Sequence, residues 1–585
     1  MVEESSPLSP PAEESIEAET DTVLKPGPES REPTPAPASE PGFVCDCEEW
    51  MRSACKSEGF YKEHKGNRYC VLHYPGKEKS AAFSETFRRK LAATDFDFSG
   101  VWFPDPVDFS GFVFRAGAGF HSATFSADAD FSDATFCLNA DFGSARFSAT
   151  SSFTSGTFAS PASFVSARFQ ATASFISAKF RATASFSEAT FSGDAGFASA
   201  SFSADVYFSD VSFSADAYFM SARFGSKADF ISATFCSAAN FSNAAFNTNS
   251  DFSNATFTFR AIFVRTKFSG FARFVSTKFC AAAEFSSAIF MAEAEFTFAV
   301  FSNTADFSLA KFNKVGYFDS TVFNDSVRFF GDARERDSNN TVHIWETAAG
   351  KEPTLDFQHA RIEKPNKVAF HTVALRPRWF VNVDSREFIF TDVSWEWNVI
   401  RIEAEIESLT NKNVSSPHRL LAIACRQLAE NAETNNRYEE ASRFRYWAMD
   451  LARHYKWAGA RFWKTDWLHI LYWSVSGYGE RMLRALGWLL VVWVIFAAVY
   501  TRVGFTQQTP KLSIENSVST IGEDRIGQPL EFSRALTYSL AVMSLQKPEP
   551  RPLTNWAHTL VTLETILGPV QAALLALAIR RKFMR

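Results

Sequence analysis

At 585 residues the chain is long enough for several domains, and its formal net charge of −6 says little by itself because the charges are segregated along it. Eight cysteines over that length exclude a disulfide framework and suit a reducing compartment for the soluble part. The start holds no basic stretch followed by an apolar run, which argues against a secretory signal.

Residues 1–43 contain nine prolines and ten acidic residues against Lys25 and Arg31, with few large apolar side chains. Such a composition predicts a disordered tail. Residues 44–95 turn to Cys, His, aromatic and basic residues. Cys47, Cys55, Cys70 and His73 have a spacing that could close a tetrahedral zinc site, with Cys70-Val-Leu-His73 placing two ligands three apart; Cys45 and His64 compete for the same role. A module this short needs such a staple. The other reading of these residues is a loop-rich cap with reduced cysteines. Phe83, Phe87 and Leu91 then predict a short helix over 80–93 that leads into the next segment and blunts its open end.

Residues 96–330 are organised by phenylalanine. From Phe98 to Phe329 it recurs with alternating gaps of five and six, so that one series steps by eleven from Phe98 and another by eleven from Phe103; together they hold 43 of the chain's 64 phenylalanines. The residue two before nearly every one is small, Ala in 29 of the 43, as in Ala129 and Phe131 or Ala134 and Phe136. Residues two apart share a face only in extended backbone. Because five is odd, a straight strand would throw successive rings to opposite faces, so the chain must turn a corner in each unit. A helix fails as well, since five residues advance it by about 500° and leave consecutive rings roughly 140° apart.

These units resemble the pentapeptide-repeat family, whose unit is a small residue, a polar residue, a central Leu or Phe and two more polar residues. The resemblance covers 232 residues, with Phe nearly everywhere at the centre and one residue added to every second unit. It implies a mainly β fold, a right-handed quadrilateral β-helix. Faces of five, six, five and six residues make 22 per coil, and stacking at ~4.8 Å makes a rod of about 50 Å with a Phe core. Some members are thought to mimic the charge of DNA, but between residues 98 and 329 the 19 acidic and 15 basic residues leave only −4. A plain scaffold fits better than a topoisomerase-binding mimic, and no nucleic acid is expected. Cys137, Cys236 and Cys280 each follow a lattice Phe and should face solvent.

The lattice breaks at Gly331–Pro353, and 331–412 reads as an irregular continuation closing the far end. Ser416 and Pro417 open an αα-hairpin over 413–458, with stripes Leu420, Leu421, Ala424, Leu428 and Tyr438, Ala441, Phe444, Trp447, Leu451, similar to one tetratricopeptide unit. The remainder, 459–585, reads as a membrane module. Spans are expected at about 483–503 and 559–580; Arg453, Lys456, Arg461 and Lys464 before the first and Arg580, Arg581, Lys582 and Arg585 at the end of the second argue for both flanks in the cytoplasm. Residues 530–545 form a shorter apolar segment between them. That order resembles the two-span pore module of potassium-type channels with a re-entrant segment, but Ser544 is followed by Leu-Gln-Lys-Pro-Glu-Pro and no carbonyl ladder. Gly568 and Pro569 should kink the second span.

No catalytic constellation stands out. The expected protein is a non-enzymatic, membrane-anchored scaffold, with the bilayer and an unknown protein as partners, both termini cytoplasmic, and a bacterial inner-membrane location by resemblance of the whole arrangement. The alternative is a homo-oligomeric pore, tetrameric if pore-forming, regulated by the rod.

Overall fold

A computed structural model describes residues 43–331, 355–395, 405–459, 467–506 and 529–583, apart from positions 57, 408, 412 and 413. The acidic tail and the Gly331–Pro353 break lie largely outside the described residues.

Residues 96–330 form the expected four-sided coil. Strands, nearly all of two residues, assemble into four parallel sheets, which reach 11, 12, 13 and 10 strands once those between Leu355 and Thr391 are included. Equivalent strands pair 22 residues apart, Ala140 with Ala162 and Phe147 with Phe169. In chain order, face one runs through Phe98 and Phe120, face two through Phe103 and Phe125, face three through Phe109 and Phe131, and face four through Phe114 and Phe136.

Each wall contributes one column of rings. Phe103 lies 4.5 Å above Phe125 at an interplanar angle of 4°, and Phe202 lies 5.2 Å from Phe224 at 5°. Columns one and three meet edge to face along the axis, as between Phe131 and Phe142 at 5.4 Å and 85°. Offset stacks and T-shaped contacts both suit the ring quadrupole. The alternate Ala residues, also buried, fill the space against the walls.

The corners explain the unequal gaps. After each ring of faces one and three comes a four-residue turn, such as Phe131 to Ala134, closed by the Ala134 N–H donating to the Phe131 carbonyl at 3.2 Å, with Asp133 at φ 55°. Left-handed residues recur every eleven positions, from Gly100 and Gly111 through Ser122, Asp133 and Ser144 to Ser320. The other corners take three residues and need no positive φ, which uses the additional residue of the six-residue gap. The outward Asp or Asn preceding a ring of faces one and three often caps its corner: Asp130 accepts from the Ser132 N–H at 2.8 Å and Asp251 from the Ser253 N–H at 2.9 Å.

Both ends of the ring column are covered. At the start, strands β1 (Phe60–His64) and β2 (Asn67–Cys70) pair antiparallel, and helix α1 (Ser80–Ala92) lays Phe83 and Phe87 over the first coil, with Phe87 5.5 Å from Phe98 and 5.6 Å from Phe109. At the far end, strands from Leu355 to Trp395 continue the sheets with less regular spacing, and Phe370 stacks on Phe329 at 5.2 Å. Helices α2 (Pro417–Thr434) and α3 (Tyr438–Gly459) form the hairpin that closes this end. Asn431 Nδ2 donates to the carbonyls of Ser385, Arg386 and Phe388, and Phe444 meets Trp395 edge-on at 4.9 Å.

The remaining helices are α4 (Trp467–Ser476), α5 (Met482–Tyr500), α6 (Phe532–Met543) and α7 (Asn555–Phe583). The sequence reading did not separate α4. It joins the hairpin to the last helices: Trp473 Nε1 donates to Tyr446 Oη at 3.1 Å, and Arg445 bridges Glu433 at 2.6 Å and Glu480 at 3.1 Å.

Candidate functional site

Four buried ligand-type side chains converge in the N-terminal cap. The donor atoms of Cys45, Cys55, Cys70 and His73 all lie within 4.8 Å of one another. Cys55 ends a short 3₁₀ helix, Glu49–Cys55; Cys70 ends β2; and the turn closed by the Tyr74 N–H on the Cys70 carbonyl at 3.0 Å swings His73 back beside Cys70. Cys45 arrives from the strand-like entry, where the Asp46 N–H donates to the Arg68 carbonyl at 2.9 Å and the Cys70 N–H points at Cys45 Sγ at 3.4 Å.

The ligand set therefore differs from the sequence assignment in one place: Cys45 takes the position given to Cys47. The reason is local. The entry segment pairs with β2 at Asp46, which sets Cys45 against Cys70, whereas Cys47 is buried beside His73 but outside the mutual quartet. His64 lies apart, its ring edge-on to Tyr74 at 6.0 Å.

The imidazole is oriented for ligation. His73 Nε2 faces the Ser99 carbonyl at 3.0 Å, a contact that places the ring proton on Nε2 and turns the Nδ1 lone pair inward, 3.3 Å from Cys70 Sγ and 3.7 Å from Cys45 Sγ. A tetrahedron with Zn–S of about 2.3 Å and Zn–N of about 2.0 Å has edges of roughly 3.5–3.8 Å. Three thiols and one imidazole within 4.8 Å of one another need a contraction of no more than about 1 Å to close such a tetrahedron around a metal ion. The charges respond accordingly. Hydrogen bonds from Cys55 and Cys70 hold the Cys45 thiol far below its ordinary pKa, and contact with Cys45 pushes the Cys55 thiol up. Burial opposes charge on His73, yet the surrounding thiols raise it to about 12. Binding a metal ion here would displace the cluster's protons.

On the rod, Cys137 is half-exposed and Cys236 and Cys280 are exposed, so none joins a buried cluster.

Helices α5, α6 and α7 make a second candidate region. Helix α5 and residues Asn555–Arg580 of α7 are long and apolar enough to cross a membrane, and only 17% of each apolar window is buried, unlike the core helix of a soluble protein. Leu483, Trp488, Ile495, Ile566 and Val570 are exposed. The polar groups turn inward: Glu564 accepts from Tyr500 Oη at 2.5 Å and from Ser539 Oγ, Gln571 Nε2 donates to the Ala485 carbonyl at 2.7 Å, and Trp493 Nε1 to the Leu536 carbonyl at 2.9 Å. Helix α7 continues through Pro569. Gly568 has a packing reason that the sequence reading missed, because a Cβ there would lie 2.9 Å from Met543 Cγ and 3.0 Å from its Cα.

The family model described as Pentapeptide repeats matches in nine copies, over residues 175–223. No curated protein and no solved structure matches the chain.

Proposed function

Because this chain is a pentapeptide-repeat protein, we propose that it is a non-enzymatic scaffold whose coil is held at the inner face of a membrane by α5 and α7 and there presents its walls to a protein partner. The observation that carries this reading is the pair of long helices whose apolar sides face outward while Glu564 and Gln571 face inward. A polar residue satisfied inside a helical group with an apolar exterior is what a bilayer solvent demands.

In this reading the rod and both termini lie in the cytoplasm, as the basic flanks favour, with the connection between α5 and α6 on the far side. The test is thiol labelling in intact cells. A cysteine substituted at Gly522, in a segment outside the described residues, reacts with an impermeant reagent, while exposed Cys236 and a cysteine appended after Arg585 react only after lysis. Labelling of all three in intact cells removes the topology.

The cap is assigned one zinc ion, held by Cys45, Cys55, Cys70 and His73, with a structural role because four protein ligands leave no open position.

A pore remains the second reading, favoured by the short α6 packed between the two long helices. It requires about four subunits to enclose a path, so a detergent-solubilised monomer excludes it.

A further inference from the structure

The rod's charges are sorted by wall. On faces one and three the outward strand positions hold Asp141, Asp229, Glu295, Asp130, Glu284 and Asp306, among other acids. Several of these cap corners, which gives them a structural reason to be there. On faces two and four no outward strand position is acidic. Face four carries Lys179, Arg223, Lys267 and Lys311 at intervals of 44 residues, two coils each, so they form a row with a spacing of about 10 Å. Arg181 and Arg265 flank it.

Pairing separates these cations from those beside the acidic residues, and their even spacing separates them from Arg146, Arg168 and Lys278 of face two, which are also exposed and without an ion pair among the described residues. Three basic residues on or beside the acidic walls are paired within the rod: Lys227 with Asp229 at 2.9 Å, Arg260 with Glu284 at 2.7 Å, and Arg273 with Glu295 at 3.6 Å. Lys179, Arg181, Arg223, Arg265 and Lys267 are exposed and have no ion pair among the described residues. They cap no corner, and their side chains lie outside the ring core. A flat wall with a straight row of cations, of which Lys179, Arg223 and Lys267 have no ion pair among the described residues, matches an extended anionic plane.

We propose that face four docks on the anionic phospholipid headgroups of the membrane that carries the chain, so that the rod lies along the bilayer. The proposal rests on the membrane reading above. Charge complementarity selects the occupant, and the apolar helices joined to the rod through α3 and α4 keep that surface within reach. Tethering makes docking effectively intramolecular, so contacts that are individually weak suffice. A cation spacing close to one Debye length in physiological salt keeps their mutual repulsion small in the undocked state.

Native cysteines already report on opposite walls. Cys137 follows Phe136 on face four, whereas Cys236 and Cys280 follow Phe235 and Phe279 on face two. The full chain is reconstituted into vesicles of neutral phosphatidylcholine alone or with a third anionic phosphatidylglycerol, recovered by flotation, and labelled with a water-soluble maleimide; rates at each cysteine are read by mass spectrometry. With anionic lipid, labelling of Cys137 slows at least fivefold while Cys236 and Cys280 are unchanged. High salt and the triple variant Lys179→Glu, Arg223→Glu, Lys267→Glu both abolish the slowing, and unchanged rates at Cys236 and Cys280 in that variant show that its coil is folded. Equal Cys137 rates in the two lipids, in a chain that floats, overturn the docking alone. Slowing of Cys137 in neutral vesicles that persists until residues 1–42 are deleted overturns it in favour of the acidic N-terminal segment as occupant. Failure to float with either lipid overturns the membrane reading and this inference together.

Discussion

A single ring in the column shows how much each residue contributes. Phe197 is fully buried, stacked between Phe175 at 4.9 Å and Phe219 at 4.8 Å, while Ser203 is exposed on the neighbouring corner. Phe197→Ala should cost about 3–5 kcal/mol, because the rings above and below are held by their own ladders and cannot close the gap. Ser203→Ala should stay within ~0.5 kcal/mol. Comparable shifts of the denaturant midpoint for the two variants would contradict the inside–outside assignment. The corners permit a prediction of the opposite sign. Leu309 sits at φ 59° with its side chain 42% exposed. A left-handed conformation costs a residue with a Cβ about 1–2 kcal/mol, against about 0.5–1 kcal/mol for the conformational freedom of glycine. Leu309→Gly should therefore raise stability by about 0.5–1 kcal/mol in chemical denaturation, even though an apolar side chain is lost.

Among the elements, the cap couples metal chemistry to the end of the coil. His73 reaches Ser99, α1 lies on Phe98, and the Trp102 N–H donates to the Leu72 carbonyl at 3.0 Å. Intact protein should carry one zinc per chain by native mass spectrometry. Cys45→Ser should lose it, whereas Cys47→Ser should keep it; the reverse outcome would restore the original assignment. The pH dependence has a definite sign. A depressed thiol pKa at Cys45 gives stabilisation that is present above the unfolded thiol value and lost as pH falls, whereas the raised His73 value near 12 gives pairing that is complete below about 6.5 and lost as pH rises through about 12. Zinc needs both groups deprotonated. Its apparent affinity should fall by more than tenfold per unit as pH drops below neutrality, measured by competition with a chromogenic chelator. A flat profile from pH 8 to 6 would rule out thiolate ligation.

The repeat was legible in the sequence because every ring occupies an arithmetically fixed place, and a period of eleven with an odd half admits few backbones. The cap was only half legible. Spacing announces that Cys70 and His73 act together, since both sit on one turn, but the choice between Cys45 and Cys47 depends on how Asp46 pairs with β2, a contact that no local pattern encodes. Ser99 was invisible for the same reason. Helix α4 was missed because its ten residues are apolar on nearly every side and so carry no helical stripe, and Gly568 was read as a kink when its neighbour Met543 explains it.

At the scale of the whole molecule, the coil, the hairpin and the last four helices meet through side-chain contacts at each boundary. Glu480 is the join most open to test. Its side chain is 2% exposed and receives Arg445 at 3.1 Å and Ser442 Oγ at 2.6 Å. Glu480→Gln leaves Arg445 a shorter set of acceptors and should loosen α4 from α3 without unfolding the coil, seen as faster proteolysis between residues 460 and 480 with an unchanged coil transition. Protection equal to that of the unaltered chain would mean that the aromatic contacts alone hold the joint.

The coil closes every 22 residues, while its chemical pattern repeats every 11. Inserting 22 residues would lengthen the rod by one storey of about 4.8 Å and leave every wall's outlook untouched. Inserting 11 would be accepted just as readily by the rings and corners, because each Phe finds a Phe beneath it. Everything downstream, however, would then be turned by half a revolution about the rod's axis. Cations that looked one way would look the other, and the helices beyond Pro417 would leave on the opposite side. The sequence can thus be edited like a screw thread, with reach set by whole turns and heading by half turns, and the two adjusted independently without disturbing the core.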